Sequence, residues 1–122
     1  MDRPIVLVVD DDNGIRESLS EMLAEDGYSV ASVADGSQAL SWLRHRTQPI
    51  PVVVLLDMMM PVMDGKDFLH EKARDPNMSD VPVIIITASG HCARLRHVFD
   101  VHDCLPKPFS IPRLMSAIEA AA

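Results

Sequence analysis

Aspartates stand immediately after two apolar runs of this chain. Asp10 and Asp11 follow Ile5–Val9, and Asp57 follows Val52–Leu56. If neighbouring buried strands bring these acids together, two carboxylates about 4 Å apart repel by about 4 kcal/mol at an effective dielectric constant of 20. Such a cluster persists by holding a proton or a cation, and Mg²⁺ is a hard cation that prefers oxygen ligands. The three acids therefore predict a magnesium site.

A threonine and a lysine stand at the ends of two further apolar runs. Thr87 closes the run that begins at Val81, and Lys107 follows a short run that ends at Leu105. Lysine supplies a compact positive charge for a phosphoryl group, and threonine supplies a hydroxyl donor. With the acids and a cation, they predict a site that holds or transfers a phosphoryl group, and a carboxylate nucleophile would give an acyl phosphate.

Each of these residues also has an ordinary structural interpretation. Asp11 and Asp12 could be solvated turn residues that cap the next helix, Thr87 could be a β-branched strand residue, and Lys107 could be a loop lysine. Acids after the first and third apolar strand runs, a threonine at the end of the fourth and a lysine after the fifth, in this order, favour the chemical interpretation over four separate structural ones.

Short apolar runs rich in β-branched residues alternate with segments in which apolar residues recur at helical spacing. The strands are predicted at residues 5–9, 28–33, 52–56, 81–87 and 103–105. The helices are predicted after Asp12-Asn13, after Asp35-Gly36 up to about residue 46, at 66–74, as a short helix near 92–99, and after Ser110. Apolar strands joined by crossover helices form a parallel sheet covered on both faces, with ligands bound beyond the carboxyl ends of the strands.

Length and composition limit the classes of protein to which the chain can belong. The 122 residues, 48% of them apolar, suit a single domain spanning residues 1–122 with its own core. A formal charge of −7 argues against a nucleic-acid or anionic-membrane binder. The sequence shows no membrane span and no signal peptide, and its two cysteines are too few for a disulfide framework, so a reducing cytoplasm is expected.

Four ordered motifs resemble those of the receiver domain of two-component response regulators, and the likeness runs the length of the chain. They are Val8-Val9-Asp10-Asp11-Asp12, Leu55-Leu56-Asp57-Met58-Met59-Met60-Pro61 with Met63-Asp64-Gly65, Thr87-Ala88, and Lys107-Pro108-Phe109. The resemblance implies an α/β, flavodoxin-like (βα)5 three-layer sandwich with a five-stranded parallel sheet in the order 2-1-3-4-5.

The resemblance also implies a role for each residue of the acidic site. Asp57 would be the phosphoacceptor, taking the group from a phosphohistidine of a sensor histidine kinase or a phosphotransfer protein. Asp11 would be a direct Mg²⁺ ligand, and Asp10 would act on the ion largely through water. Asp57 would be the third carboxylate of the metal site, and Met59 would offer its backbone carbonyl to the ion.

Thr87 and Lys107 would each bond a phosphoryl oxygen once the aspartate is modified, and the Lys107–Pro108 peptide is expected to be cis. Movement of Thr87 would then reshape the face formed by the fourth and fifth strands and helices.

A protein of this kind is not an ordinary enzyme; self-catalysed phosphorylation and slow self-dephosphorylation are expected. Output would pass through contact with a downstream protein target or along a phosphoryl relay, without direct binding to nucleic acid or membrane. The protein is expected to be a monomer or a weak homodimer, and the chain holds no separate output domain unless it is a piece of a longer regulator.

Two features depart from the family pattern, both near the expected switch. Cys104 stands three residues before Lys107, where receivers usually carry an aromatic residue, and the stretch from Thr87 to Lys107 is about two residues short. The fourth helix is therefore expected to be short or irregular, and threonine-to-aromatic coupling cannot take its usual form. A small buried Cys104 is favoured over a redox role, and a disulfide to Cys92 depends on geometry that the sequence does not supply.

Two other functions compete with the phosphoacceptor. A phosphorylation-independent docking module would explain the altered Cys104 region but not the intact set of acids, threonine and lysine. A phosphatase of the haloacid dehalogenase type needs a second aspartate two residues after the nucleophile, and Met59 stands there, which removes the general acid/base.

Overall fold

The computed structural model describes residues 3–46, 51–58, 64–88 and 90–121. Within these ranges, five strands alternate with five helices. They are β1 (Ile5–Val9), α1 (Asn13–Glu25), β2 (Ser29–Val33), α2 (Gly36–His45), β3 (Val52–Asp57), α3 (Gly65–Arg74), β4 (Val83–Ala88), α4 (Cys92–Val98), β5 (Asp103–Lys107) and α5 (Ile111–Ala121). The strands are parallel and lie in the order β2-β1-β3-β4-β5. The predicted fold class and strand order are confirmed.

The register of the sheet brings the carboxyl ends of its strands level with one another. Val9 pairs with Leu56, and Asp57 pairs with Ile86. Ala88 pairs with Lys107. The residues that follow β1 and those that end β3, β4 and β5 therefore share one edge of the sheet.

The core consists of two apolar layers, one on each face of the sheet. One layer is formed with α2, α3 and α4 and includes Leu40, Phe68 and Leu95. The other is formed with α1 and α5 and includes Leu23 and Ile118. Because both faces are covered, every residue of β3 is buried, which explains its continuous apolar sequence.

Three helices begin at an aspartate whose carboxylate accepts a hydrogen bond from a backbone N–H in the first turn. The pairs are Asp12 with Ile15 at 3.0 Å, Asp35 with Gln38 at 2.9 Å, and Asp64 with Asp67 at 3.0 Å. These caps satisfy N–H groups that have no partner within the helix. At the other end of α1, Gly27 has a φ of 93°, a left-handed conformation that is typical of a glycine just after the end of a helix.

The fourth helix is the shortest, with 7 residues and no side-chain cap, as the shortened sequence predicted. β4 begins at Val83 rather than Val81, and β5 continues to Lys107 beyond its predicted end at Leu105. The Lys107–Pro108 peptide is cis, as expected. Of the helices in the described ranges, none is long and apolar enough to cross a lipid bilayer.

Candidate functional site

The structure brings three of the predicted carboxylates together at the carboxyl edge of the sheet. Asp10, Asp11 and Asp57 each offer an oxygen, and these oxygens lie within 4.8 Å of one another. Asp10 and Asp57 are buried, with 3% and 7% of their surface exposed, whereas Asp11 faces solvent. Two buried acids and one exposed acid at this spacing form a pocket that a divalent cation can enter from the solvent side.

Local hydrogen bonds hold the Asp10 backbone and carboxylate in place. The Asp10 N–H donates to the Val33 carbonyl at 3.2 Å, which continues the β1–β2 pairing one step past the strand. The Arg16 guanidinium donates to the Asp10 carbonyl oxygen at 2.7 Å, and the Asp12 N–H donates to the Asp10 carboxylate at 2.9 Å. Asp12 itself caps α1, so of the three consecutive aspartates only the first two belong to the carboxylate cluster.

The positively charged side chain of Lys107 lies beside the carboxylate of Asp57, the residue expected to accept the phosphoryl group. The Lys107 ammonium nitrogen lies 4.0 Å from a carboxylate oxygen of Asp57, and the lysine side chain is 41% exposed. The pair is close enough for attraction, while the exposure leaves the ammonium group room to reorient toward a group added to Asp57.

Thr87 lies at the carboxyl end of β4 and is buried, with 6% of its surface exposed. Its strand runs between β3 and β5, which carry Asp57 and Lys107. The hydroxyl-bearing residue is thus on the strand between the acceptor candidate and the lysine, at the same edge of the sheet.

The segment that leaves β3 is anchored to the start of α3. The Met58 N–H donates to the Ile86 carbonyl at 3.4 Å, and the Gly65 N–H donates to the Met58 carbonyl at 3.2 Å. A Cβ atom on Gly65 would lie 2.8 Å from the Met58 Cα, closer than real Cβ contacts. Glycine is therefore required here by the close approach of two backbone segments. Met59, the predicted carbonyl ligand, lies outside the described residues.

An ion-pair cluster joins α4, the start of β5 and α5. The Asp103 carboxylate contacts the Arg96 guanidinium and lies 2.9 Å from that of Arg113. Burial acts to raise the pKa of the Asp103 carboxyl, but the Cys104 N–H, which donates to it at 2.8 Å, and the Arg113 hydrogen bond outweigh burial and hold the pKa below its usual value. The sequence did not predict this cluster, because its members come from three separate elements.

The geometry settles the question about the two cysteines that the sequence left open. Cys104 is buried, as predicted, and it is joined to Cys92 in a disulfide, with the two Cα atoms 5.6 Å apart. The first residue of α4 and the second residue of β5 meet here, a proximity that the linear spacing of the two cysteines does not reveal.

Taken together, the edge of the sheet combines a buried carboxylate, two further carboxylates for a cation, a lysine and a hydroxyl residue. Such a set can stabilise a charged phosphoryl group and its transfer by electrostatics and positioning.

Comparison with known proteins agrees with the fold. The family model described as the response regulator receiver domain matches residues 6–119. "Probable transcriptional regulator ycf27" of Guillardia theta is 42% identical over 117 residues, which cover 94% of this chain and 44% of that protein. "Response regulator RR06" of Streptococcus pneumoniae serotype 2 is 36% identical over 118 residues, covering 94% of this chain and 51% of that protein. The chain spans about half the length of the curated relatives it matches.

Solved structures show the same architecture. The chemotaxis protein CheY4 of Vibrio cholerae matches with a TM-score of 0.85 and 26% identity, covering 99% of this chain and 100% of that one. The receiver domain of the Francisella response regulator 1452 matches with a TM-score of 0.82 and 30% identity, covering 98% of this chain and 96% of that one. By its sequence match and its fold, the chain belongs to the response regulator receiver domain family.

Proposed function

We propose that this receiver domain accepts a phosphoryl group on Asp57 in a Mg²⁺-dependent reaction, from a sensor histidine kinase or a phosphotransfer protein. The observation that carries the proposal is the position of the buried Asp57 carboxylate. It offers an oxygen within 4.8 Å of one oxygen each of Asp10 and Asp11, and one of its oxygens lies 4.0 Å from the Lys107 ammonium nitrogen. A nucleophile that lies between a possible cation site and the positive charge of Lys107 suits attack on a dianionic group.

The reaction exchanges one bond to phosphorus for another. A carboxylate oxygen of Asp57 attacks phosphorus, the phosphorus–nitrogen bond of the donor phosphohistidine breaks, and the departing imidazole nitrogen keeps the electron pair and takes up a proton. The product is an acyl phosphate, whose phosphoryl oxygens lie within reach of the Lys107 ammonium. Lys107 offsets the charge that the modification adds, and the Thr87 hydroxyl donates a hydrogen bond to a second oxygen.

The carboxylate cluster is the basis for proposing the metal. Asp10, Asp11 and Asp57, with the Met59 backbone carbonyl, would hold Mg²⁺; the donor set is all oxygen, which is the chemistry that this ion prefers. When bound, the ion would offset part of the negative charge of the three carboxylates and of the incoming phosphoryl oxygens. Asp11, the exposed member, would be the first of the three that an ion arriving from solvent meets.

The phosphorylated form would act by changing a protein-interaction surface on α4, β5 and α5. Thr87 is joined to α4 by residues 88–91, so its movement toward the phosphoryl group would pull on the start of that helix. Because Cys104 replaces the usual aromatic residue, the movement would be transmitted through the backbone. The target would be a downstream protein reached in the cytoplasm, by a monomer or a weak homodimer.

The acyl phosphate would be lost slowly, by self-catalysed hydrolysis. Met59 stands two residues after the acceptor, where a phosphatase of this chemistry carries an acid/base. Without that group, the chain has a nucleophile for forming the phosphoenzyme but no base at that position to activate water. A long-lived modification is what a signal carrier needs, and rapid turnover is what a hydrolase needs.

A direct test uses a small phosphodonor such as acetyl phosphate. The wild-type protein should gain one alkali-labile phosphoryl adduct in intact-mass measurements when Mg²⁺ is present, and should gain none when the metal is chelated. Asp57→Asn should gain no adduct. Asp12→Asn is the matched control, because it removes an adjacent charge outside the cluster while asparagine retains the capping function of Asp12.

The outcomes separate the competing functions. Absence of an adduct with every donor, in the presence of Mg²⁺, would favour the phosphorylation-independent docking module. Many turnovers per minute against generic phosphoesters would favour a phosphatase. An adduct that persists in Asp57→Asn would show that another residue is the acceptor.

A further inference from the structure

The disulfide between Cys92 and Cys104 connects two elements of the face that the proposed switch reshapes. Cys92 is the first residue of α4, and Cys104 is the second residue of β5. Cys104 is 3% exposed and belongs to the apolar layer on this side of the sheet; Cys92 is half-buried and packs against the same layer. These are the only two cysteines of the chain, so the pairing has no competitor within it.

The bond restrains the movement that phosphorylation would require. The two cysteines are 12 positions apart, and the ring that they close contains the whole of α4. Residues 88–91 connect Thr87 to the first cysteine, so a displacement of Thr87 reaches α4 at the residue that the disulfide ties to β5. A cross-link between the first residue of α4 and the strand β5 opposes any motion of the helix relative to that strand.

The chain has a hydrophobic core in addition to this bond. Two apolar layers with continuous buried strands are enough to give a chain of this size its own core. Disulfides that form in reducing compartments are usually transient, catalytic or redox-sensing. A disulfide that is added to such a core and links α4 to β5, on the face that the proposed switch reshapes, is suited to redox control of that face.

We propose that Cys92 and Cys104 are a thiol–disulfide pair through which oxidation locks α4 against β5 and weakens the response of the domain to phosphorylation. This redox control rests on the proposed phosphoacceptor function of Asp57 and would act on the same switch.

A low-molecular-weight disulfide such as oxidised glutathione can act as the oxidant that forms this bond. The more exposed Cys92 thiolate attacks a glutathione sulfur and displaces one glutathione thiolate, forming a mixed disulfide. The Cys104 thiolate then attacks the Cys92 sulfur and displaces the second glutathione thiolate. Two protein thiols lose their protons, two glutathione thiolates take them up, and two electrons pass to glutathione.

Coupling between disulfide formation and occupation of the phosphoryl site must be reciprocal. If the disulfide lowers the affinity of the site for a phosphoryl mimic by some factor, binding of the mimic must favour the dithiol form by the same factor. Beryllium trifluoride with Mg²⁺ is a suitable mimic, because it adds to a carboxylate as a phosphoryl group does but binds reversibly. We expect about tenfold tighter binding to the reduced protein, within the range of about 5- to 150-fold for allosteric coupling.

The experiment measures both sides of this linkage. Wild-type protein is equilibrated at fixed pH in glutathione buffers of varied ratio, with and without the mimic, then acid-quenched and alkylated to count thiols by mass. Mimic affinity is measured separately on the oxidised and reduced forms. Cys92→Ser, with Cys92→Ala as a second variant, should bind the mimic as the reduced protein does, with no dependence on the glutathione ratio.

Three results would overturn the redox proposal: equal mimic affinity in the two redox forms, failure of the disulfide to form at any glutathione ratio, or redox dependence that persists in both Cys92 variants. Failure of the proposed function is distinguishable, because the reduced wild-type protein and the Cys92 variants would then bind no mimic at all. That result would remove the coupling while leaving the measured thiol–disulfide equilibrium intact.

Discussion

The replacement Asp11→Asn should stabilise the protein in the absence of Mg²⁺, and saturating Mg²⁺ should remove most or all of that advantage. Asp11 shares the cluster with Asp10 and Asp57, with their oxygens within 4.8 Å of one another. At that separation, one pair of unit charges repels by about 3.5 kcal/mol at a dielectric constant of 20 and by about 1 kcal/mol at that of water. Because Asp11 is exposed, the lower figure applies to each of its two pairs. Removing its charge should therefore raise the free energy of unfolding by about 1–2 kcal/mol in chelator.

Saturating metal should cancel most or all of this advantage of the variant. At a concentration 100 times its dissociation constant, an ion stabilises the wild type by about 2.7 kcal/mol. If Asp11→Asn binds the ion tenfold more weakly, the same concentration stabilises the variant by only about 1.4 kcal/mol. The wild type should thus gain more from Mg²⁺ than the variant, and the advantage of the variant in chelator should shrink as ionic strength rises, because salt screens the repulsion.

Urea denaturation followed by circular dichroism, with and without Mg²⁺, measures both effects. Asp12→Asn is the matched control: it removes a neighbouring negative charge but keeps a helix cap, so its response to Mg²⁺ should equal that of the wild type. If Asp11→Asn and Asp12→Asn respond alike to chelator and to Mg²⁺, the assignment of Asp11 to the metal site would be refuted.

Three further predictions concern other residues of the structure. Gly65→Ala should lower the free energy of unfolding, measured by urea denaturation, by about 1–3 kcal/mol, because the added Cβ would press on the Met58 backbone. A loss of stability no larger than that of Gly14→Ala would contradict this steric argument. Lys107→Ala should slow adduct formation from acetyl phosphate by about tenfold or more, since a charge-stabilising group contributes at least that much, and an unchanged rate would remove Lys107 from the reaction. Asp103→Asn should cost under about 1 kcal/mol near neutral pH, as expected of partly exposed ion pairs. Folding lowers the pKa of the Asp103 carboxyl, so the stabilisation that this carboxylate provides is present above the unfolded pKa near 4 and is lost as the pH falls through the folded value. The free energies of unfolding of the wild type and of Asp103→Asn, measured in urea at several pH values, should therefore converge in acid. A difference that stays constant with pH would contradict the lowered pKa.

The fold was predictable because its signals are local and mutually consistent. Continuous apolar runs such as Val52–Leu56 predict strands buried on both faces, and Asp12, Asp35 and Asp64 are at the positions where three helices begin. Strand ends are harder to predict, because pairing with a neighbour extends β5 through Pro106 to Lys107 although its apolar run stops at Leu105.

The proximity of the site residues was predictable from topology, since parallel strands bring their carboxyl ends to one edge. Asp10, Asp11 and Asp57 meet there, as the sequence predicted. The contacts that the sequence did not predict come from tertiary packing: the bond between Cys92 and Cys104 and the attachment of Arg96 and Arg113 to Asp103 join elements that are separate along the chain. No local pattern encodes such pairs.

The central claim is that Asp57 carries the phosphoryl group, and chemical mapping of the acceptor tests it most directly. Borohydride reduces an aspartyl phosphate to homoserine, which peptide mass spectrometry locates in the chain. After incubation with acetyl phosphate and Mg²⁺ and then reduction, homoserine should appear at position 57 and nowhere else. Homoserine at position 10 or 11, or no homoserine in protein that carries an alkali-labile adduct, would contradict the claim.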